Sequence, residues 1–310
     1  MTAPRAEVPG IVTVIGGGAI GSGWAALFAA HGALVRLVDP DPDAPRRAKA
    51  ALDCARSLAS HAALPGRIEP SADTETALAQ AEWVQESLPE SLSLKRDVFA
   101  RLADHLGHHA IVASSTSSFT PGELAHDLPF AERFLVVHPL HPVYAVPVVE
   151  LCAGPRTSGH TTERAASVMR ALAREPVLVR GEMPGLVANR LTAALLREAF
   201  DLVARDIVSP ADLDRVVARG IGLGWTTAGP LGTEAMGSGS AGTFVDRYAE
   251  PLTRLWESLA AWPALDDDRR SALVRALASG PATNAGEASD AQCAWAKAIV
   301  RLLDAAVRAR

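Results

Sequence analysis

The sequence predicts an α/β protein, a doubly wound sheet followed by an all-helical C-terminal domain. Three observations predict it. A β-branched apolar run, Ile11–Ile15, ends in glycines and passes into a helix-like stretch. Short apolar runs then alternate with helical stretches as far as about residue 183, the pattern of parallel strands covered by helices. Beyond Met183-Pro184 apolar residues recur at helical spacing and strand signals stop.

The elements follow in order. Ile11–Ile15 is a strand, Ala19–His31 a helix, and Leu34–Val38 a second strand ending at Asp39, which together make a βαβ unit. Trp83–Glu86, Ile111–Ala113, Phe134–Val137, Val148–Leu151 and Val177–Val179 are further strands, with helices over Leu92–Leu106 and Thr162–Ala173. In the second part, Leu191, Leu195, Ala199 and Leu202 line one face of a helix over Leu186–Arg205. Ser209-Pro210-Ala211-Asp212 starts another: Ser209 caps it, Pro210 fits its first turn and Asp212 suits its positive end. Gly220 is a stop, and the remainder reads as helices broken at Gly229-Pro230 and Ser279-Gly280-Pro281. The expected division is a nucleotide-binding domain over 1–183 and a helical substrate and dimerisation domain over 184–310. A chain of 310 residues suits two domains of about 150 residues each.

Composition excludes several classes of function. Hydrophobic residues at 48% and charged residues at 21% describe a folded globular chain. A net charge of −5 offers no basic surface for a phosphate backbone, and 5% aromatics offer little for base stacking, so nucleic acid is not an expected partner. No apolar run approaches the ~18 residues of a membrane span, and the segment Met1–Gly10 has no apolar core of a secretory signal. The three cysteines, Cys54, Cys152 and Cys293, are too few and scattered for a disulfide framework or zinc site, so no metal and a reduced, cytoplasmic compartment are expected.

The first βαβ unit carries a cofactor signal. Gly16-Gly17-Gly18-Ala19-Ile20-Gly21 follows a strand and opens a helix. Gly16 permits a tight turn, Gly18 lets a pyrophosphate approach the backbone, and Gly21 lets helix pack closely on strand. The free N–H groups at the helix start, from Ala19 and Ile20 onward, favour negative phosphates. Asp39, 18 residues after Gly21, can accept hydrogen bonds from ribose hydroxyls and would repel a 2′-phosphate, so NAD(H) is expected over NADP(H).

His138 closes a strand, and Glu150 lies 12 residues on, beyond the proline-containing segment 142–147. That spacing lets the chain turn back so that carboxylate and imidazole can meet. Such a pair fixes the histidine tautomer while the second ring nitrogen exchanges a proton with substrate. The same spacing also suits a hydrogen-bonded structural histidine. Ser114–Ser118 follows another strand, and ligands in open α/β sheets bind beyond the carboxyl ends of strands. Asn189 is a further neutral donor just past the expected domain junction.

Assembled, these residues resemble the L-3-hydroxyacyl-CoA dehydrogenase superfamily, and within it the λ-crystallin / L-gulonate 3-dehydrogenase branch. The resemblance rests on Gly16–Gly21, Glu86-Ser87-Leu88-Pro89-Glu90 with Leu94-Lys95, Ser114–Ser118, and His138-Pro139-x-x-Pro142. It continues through Val146–Leu151, Val187–Leu191, Val208–Leu213, Gly229-Pro230-Leu231 and Asp246-Arg247-Tyr248, so it runs over nearly the whole chain. The resemblance implies a Rossmann-type N-terminal domain and hydride transfer between NAD(H) and C3 of a 3-hydroxy or 3-keto acid. It implies His138 as general acid/base with Glu150 as partner, Ser117 and Asn189 orienting the substrate oxygen, and Asp39, Glu90 and Lys95 holding NAD(H). It also implies a homodimer paired through the helical domain.

Two departures bear on substrate. The family usually reads His-Pro-x-Asn-Pro, whereas here His141 replaces the asparagine. The branch commonly has an arginine shortly before Gly-Pro-Leu, suited to bidentate recognition of a carboxylate. Here Gly224 stands in its place, beside Trp225 as a candidate aromatic wall. A bulky 3-keto acid of aromatic polyketide biosynthesis, an acyl-CoA, and a non-catalytic, crystallin-like NADH-binding role are the alternatives.

Overall fold

A computed structural model describes residues 7–58, 66–125, 127–278 and 288–308. The expected break at Ser279-Gly280-Pro281 and the first six residues of the Met1–Gly10 segment lie outside them. The chain forms two compact units, residues 1–189 with 287–302, and residues 190–286 with 303–310.

The first unit is built on one eight-stranded sheet. In chain order its strands are β1 (Ile11–Ile15), β2 (Leu34–Val38), β3 (Arg67–Pro70), β4 (Trp83–Glu86), β5 (Ile111–Ser114), β6 (Phe134–Pro139), β7 (Val148–Ala153) and β8 (Glu175–Val179). Their spatial order is β3-β2-β1-β4-β5-β6-β7-β8. All neighbours are parallel except β6 and β7, an antiparallel pair with His138 directly opposite Glu150. The strand order reverses between β1 and β4, the crevice where doubly wound sheets take ligands at their carboxyl ends. The edge strand β3 has no counterpart among the expected strands. Its sequence, Arg-Ile-Glu-Pro, is mostly exposed and lacks the apolar run that marks a buried strand.

Six helices of this unit are α1 (Ala19–Ala30), α2 (Ala44–Leu58), α3 (Thr74–Leu78), α4 (Leu92–Leu102), α5 (Pro121–Ala125) and α6 (Gly159–Ala171). In α1 every residue from Gly21 to Ala29 is buried, so the helix is apolar all round rather than amphipathic. Trp24, Phe28 and Trp83 stack through the centre of this core with ring centroids 5.9 and 6.0 Å apart.

The remaining helices are α7 (Leu186–Ala204), α8 (Pro210–Val216), α9 (Gly222–Ser238), α10 (Ala241–Ser258), α11 (Asp267–Ala278) and α12 (Ala288–Arg308). The first part of α12 packs with the first unit: Ala296 is fully buried in its core and Cys293 forms a disulfide with Cys54 of α2. This corrects the expectation of three scattered thiols. The two cysteines are 239 residues apart in sequence, and only the return of the last helix brings them together. It also removes the cysteine argument for a reduced compartment. Cys152 is free and buried.

In the second unit, Ser209 caps α8 as its sequence suggests, its hydroxyl accepting from the Asp212 N–H. Gly220 is not a stop. The chain passes from α8 through a π-turn, Val217–Ile221, straight into α9, because nothing in this stretch removes an N–H or imposes a positive φ until Gly229. There φ is +71°, and Pro230 follows, so α9 bends sharply. A side-chain Cβ at Gly224 would meet Thr233 Cγ2 at 2.8 Å, so a larger residue there would require Thr233 to shift. None of the residues of α8, α9 and α10 is buried, and Leu231, Met236 and Trp256 are widely exposed. No helix among the described residues is long and apolar enough to cross a membrane.

Candidate active site

The glycine turn has the form a dinucleotide requires. Gly16 has φ +96°, and a Cβ at Gly21 would lie 1.7 Å from the Gly16 carbonyl oxygen, so helix and turn touch backbone to backbone. A Cβ at Gly18 would meet nothing within 4 Å, which leaves its backbone open to a bulky group. Gly18 caps α1 without any side-chain hydrogen bond, and the first turn, with Ala19 and Ile20, holds no acidic residue. The N–H groups there are available to an anion. Asp39 follows β2 and accepts from the Gly17 N–H at 2.5 Å and the Asp41 N–H at 2.7 Å. These contacts fix the carboxylate beside the turn with lone pairs to spare for ribose hydroxyls. The residues present therefore fit NAD(H).

A buried polar network lies behind the serine-rich loop. Glu86, at the end of β4, is fully buried and accepts from Lys95 Nζ at 2.7 Å, Ser114 Oγ at 2.5 Å and the Leu88 N–H at 2.6 Å. Lys95 also reaches the Leu88 carbonyl at 3.1 Å and Glu90 Oε2 at 3.2 Å. Its three protons are thus all taken within the protein, and it is 1% exposed. Lys95 thus joins Glu86 and Glu90 behind the loop. Glu90 in turn accepts from Thr116 Oγ1 and from the N–H groups of Ser117 and Ser118. Burial raises the Glu90 carboxyl, but the Thr116 hydroxyl, the Lys95 charge and the Ser118 N–H outweigh it and hold the group below the ordinary value. Sequence reading named Glu86 only as part of the Glu86–Glu90 motif and gave it no role, since its place at the end of an apolar strand does not reveal the network it anchors.

His138 and Glu150 meet across β6 and β7, with Nδ1 and Oε2 2.8 Å apart and both side chains buried. The other oxygen, Oε1, accepts from the Val187 N–H at 2.8 Å and the Ala188 N–H at 3.0 Å, in the first turn of α7. Burial raises the Glu150 carboxyl, yet the imidazole N–H and the two backbone N–H groups outweigh burial and leave it below its ordinary value. An ionised Glu150 can only accept, so His138 carries its proton on Nδ1 and turns Nε2 outward. The turn that presents these amides is tight: Gly185 and Leu186 have φ of +85° and +48°. For leucine this costs on the order of 1–2 kcal/mol, offset by burying its side chain against Val136, Cys152 and Val179. The same turn binds the serine loop, the Gly185 N–H donating to the Ser117 carbonyl at 2.8 Å. Asn189 follows Ala188 on α7, half-buried. One turn, Gly185–Asn189, thus gathers Ser117, Glu150 and, through Glu150, His138.

His141 sits just past β6. Its Nε2 contacts the carboxamide nitrogen of Gln292, its ring lies 6.0 Å from that of Trp295, and its Nδ1 is buried without a hydrogen-bond partner. Burial lowers its pKa below 6.5. Trp225 lies on α9 in the second unit, one residue after Gly224. Cys152 neighbours Glu150 in sequence only by strand alternation; burial and the charges of Glu182 and Glu150 push its thiol up to about 11, which keeps it unreactive. Among the described residues, no group of three or more His, Cys, Asp or Glu is placed to hold a metal ion.

Two family models match the chain one after the other: the 3-hydroxyacyl-CoA dehydrogenase NAD-binding domain over residues 11–183, and its C-terminal domain over residues 185–270. The chain belongs to the 3-hydroxyacyl-CoA dehydrogenase family. It is accordingly an oxidoreductase acting on a CH–OH group with NAD as cofactor. A λ-crystallin homologue from Bos taurus is 36% identical over 276 residues, 85% of each chain. An L-carnitine dehydrogenase/betainyl-CoA thioesterase from Ruegeria pomeroyi is 36% identical over 262 residues, 82% of this chain but 54% of that one, so the chain spans about half that relative's length. The solved structure of 5-formyl-3-hydroxy-2-methylpyridine 4-carboxylic acid 5-dehydrogenase, an NAD+-dependent dismutase, superposes with a TM-score of 0.83 at 29% identity, covering 97% of this chain and 99% of that one. Family models and compactness divide the chain differently: the models meet at residues 183–185, whereas the first compact unit runs to Asn189 and takes back residues 287–302.

Proposed function

We propose that this chain interconverts a 3-hydroxy acid and its 3-keto acid, with His138 as general acid/base and Glu150 as its partner. The observation that carries the reading is the double engagement of Glu150, which holds His138 Nδ1 with one oxygen and the start of α7 with the other. The carboxylate fixes the tautomer and stabilises the imidazolium, and Nε2 gives a proton to, or takes it from, the oxygen on C3. NAD(H), when bound, supplies or accepts the hydride. Gly16, Gly18, Gly21 and the first N–H groups of α1 would hold the pyrophosphate, and Asp39 the adenine ribose. Ser117 and Asn189 would orient the substrate oxygen as donors where charge develops. The decisive experiment is His138→Ala. Turnover of 3-keto acids with NADH is expected to fall at least about a hundredfold, while NADH still binds by fluorescence titration. Activity that survives the change would remove His138 from the mechanism.

The substrate is a free acid larger than those the branch arginine would select. Gly224 supports this, since α9 cannot carry an arginine there without displacing Thr233. The relative acting on a pyridine carboxylic acid supports a ring-bearing substrate, and the relatives named for L-carnitine and acyl-CoA define the competing panel. The second unit would pair two copies, because α8, α9 and α10 bury none of their residues within the chain. Sedimentation at twice the 32.4 kDa chain mass is expected, and a 32.4 kDa species at micromolar concentration would refute the pairing.

A further inference from the structure

We propose that Trp295 of the C-terminal helix, with His141 beneath it and Gln292 holding His141 in place, is the element that recognises a planar aromatic ring on the substrate. The proposal rests on the reading of the site given above and adds to it a recognition surface from α12, which neither family model reaches.

The placement is rigid. Within five residues α12 is held to the first unit by the Cys293–Cys54 disulfide and by Ala296 in the core. Gln292 and Trp295, three residues apart, lie on neighbouring positions of one helix face, and both meet His141. His141 is three residues beyond His138, just past the carboxyl end of β6 on the stretch that leads back to β7, the end of the sheet where open α/β folds take their ligands. Gln292 supplies from another element the carboxamide that the family's usual asparagine would carry at position 141 itself. It is a positioning residue, acting through the imidazole.

The chemistry of the cluster points to a ring. The imidazole is half-buried, and burial lowers its pKa, which favours an uncharged aromatic face over a cation. The Trp295 indole stands 6.0 Å from it, tilted by 41°, within the range of favourable aromatic pairs, and is still 51% exposed. A half-exposed indole braced by a second ring is a surface on which a flat group can stack. A small aliphatic acid gains nothing from it. The buried, unpartnered Nδ1 of His141 is the kind of unsatisfied atom that a fold retains where it has a use.

Two 3-keto acids, benzoylacetate and acetoacetate, test this with NADH as reductant. In Trp295→Leu, which keeps an apolar side chain but removes the ring, the ratio of kcat/KM for benzoylacetate over acetoacetate is expected to fall about 3- to 10-fold. Trp295→Phe should restore most of the ratio. Gln292→Leu should raise KM for benzoylacetate more than it lowers kcat. An unchanged ratio in Trp295→Leu, or equal losses on both acids, would overturn the proposal. So would a wild-type preference for acetoacetyl-CoA that depends on Trp295, since adenine would then be the stacked ring. If the wild-type protein reduces neither free acid, the functional reading fails by itself. Calorimetric titration of benzoylacetate into the NADH-loaded protein still decides this inference: weaker binding to Trp295→Leu than to wild type upholds it, and equal binding overturns it.

Discussion

Glu150 is the residue on which the site turns. It accepts from an imidazole on one side and from two backbone amides on the other, and these contacts together outweigh its burial. A carboxyl whose folded pKa lies below the ordinary 4.5 contributes stability that is present above that value and is lost as pH falls through the folded value. Urea unfolding of the wild-type protein is therefore expected to show stability dropping below about pH 4.5. Glu150→Gln should flatten that part of the profile and lower stability at neutral pH. An identical acid limb in the variant would show that other groups carry it. The pairing of His138 with Glu150 was legible in the sequence because 12 residues with prolines between them suit a hairpin. The amides of Val187 and Ala188 were not legible, since backbone donors carry no side-chain signature and their presentation depends on a leucine at positive φ. The resemblance marked Lys95 as a cofactor-side residue, but its full burial was not legible, because burial depends on what packs around α4.

At the scale of elements, the β1–α1–β2 unit was the most legible part of the chain. Strand, glycines, helix and terminal acid are all local signals. The two motif glycines differ in what they tolerate, however. Gly21→Ala forces a Cβ onto the Gly16 carbonyl and is expected to cost about 1–3 kcal/mol of stability, with weaker NADH binding. Gly18→Ala meets no protein atom, so it should unfold at the wild-type temperature and lose only cofactor affinity. Thermal unfolding and NADH titration of the two variants side by side check this; equal melting temperatures would refute the close-packing role of Gly21. The sequence hid β3 because an exposed edge strand needs no apolar run, and it misplaced a helix end at Gly220 because glycine alone does not stop a helix that a π-turn can carry onward.

On the scale of the whole molecule, the two units alternate along the chain: residues 190–286 of the second lie between two pieces of the first, 1–189 and 287–302, and residues 303–310 return to the second. The return of the chain to the first unit was not legible beforehand, because α12 reads as one more helix of a helical domain and pairing between two cysteines 239 residues apart has no local signature. The Cys54–Cys293 bond is expected to contribute about 2–4 kcal/mol by restricting the unfolded chain. The double variant Cys54→Ser/Cys293→Ser should unfold at correspondingly lower urea, and dithiothreitol should bring the wild-type protein to the same midpoint. A wild-type midpoint insensitive to reductant would mean the bond is absent in solution. The bond also makes the polypeptide from Cys54 to Cys293 a closed covalent ring with a tail at each end, and residues 190–286 of the second unit lie on that ring. A single protease cut anywhere on it opens the ring without dividing the molecule. The nicked protein keeps its full mass on a non-reducing gel and separates into two fragments only once a thiol is added.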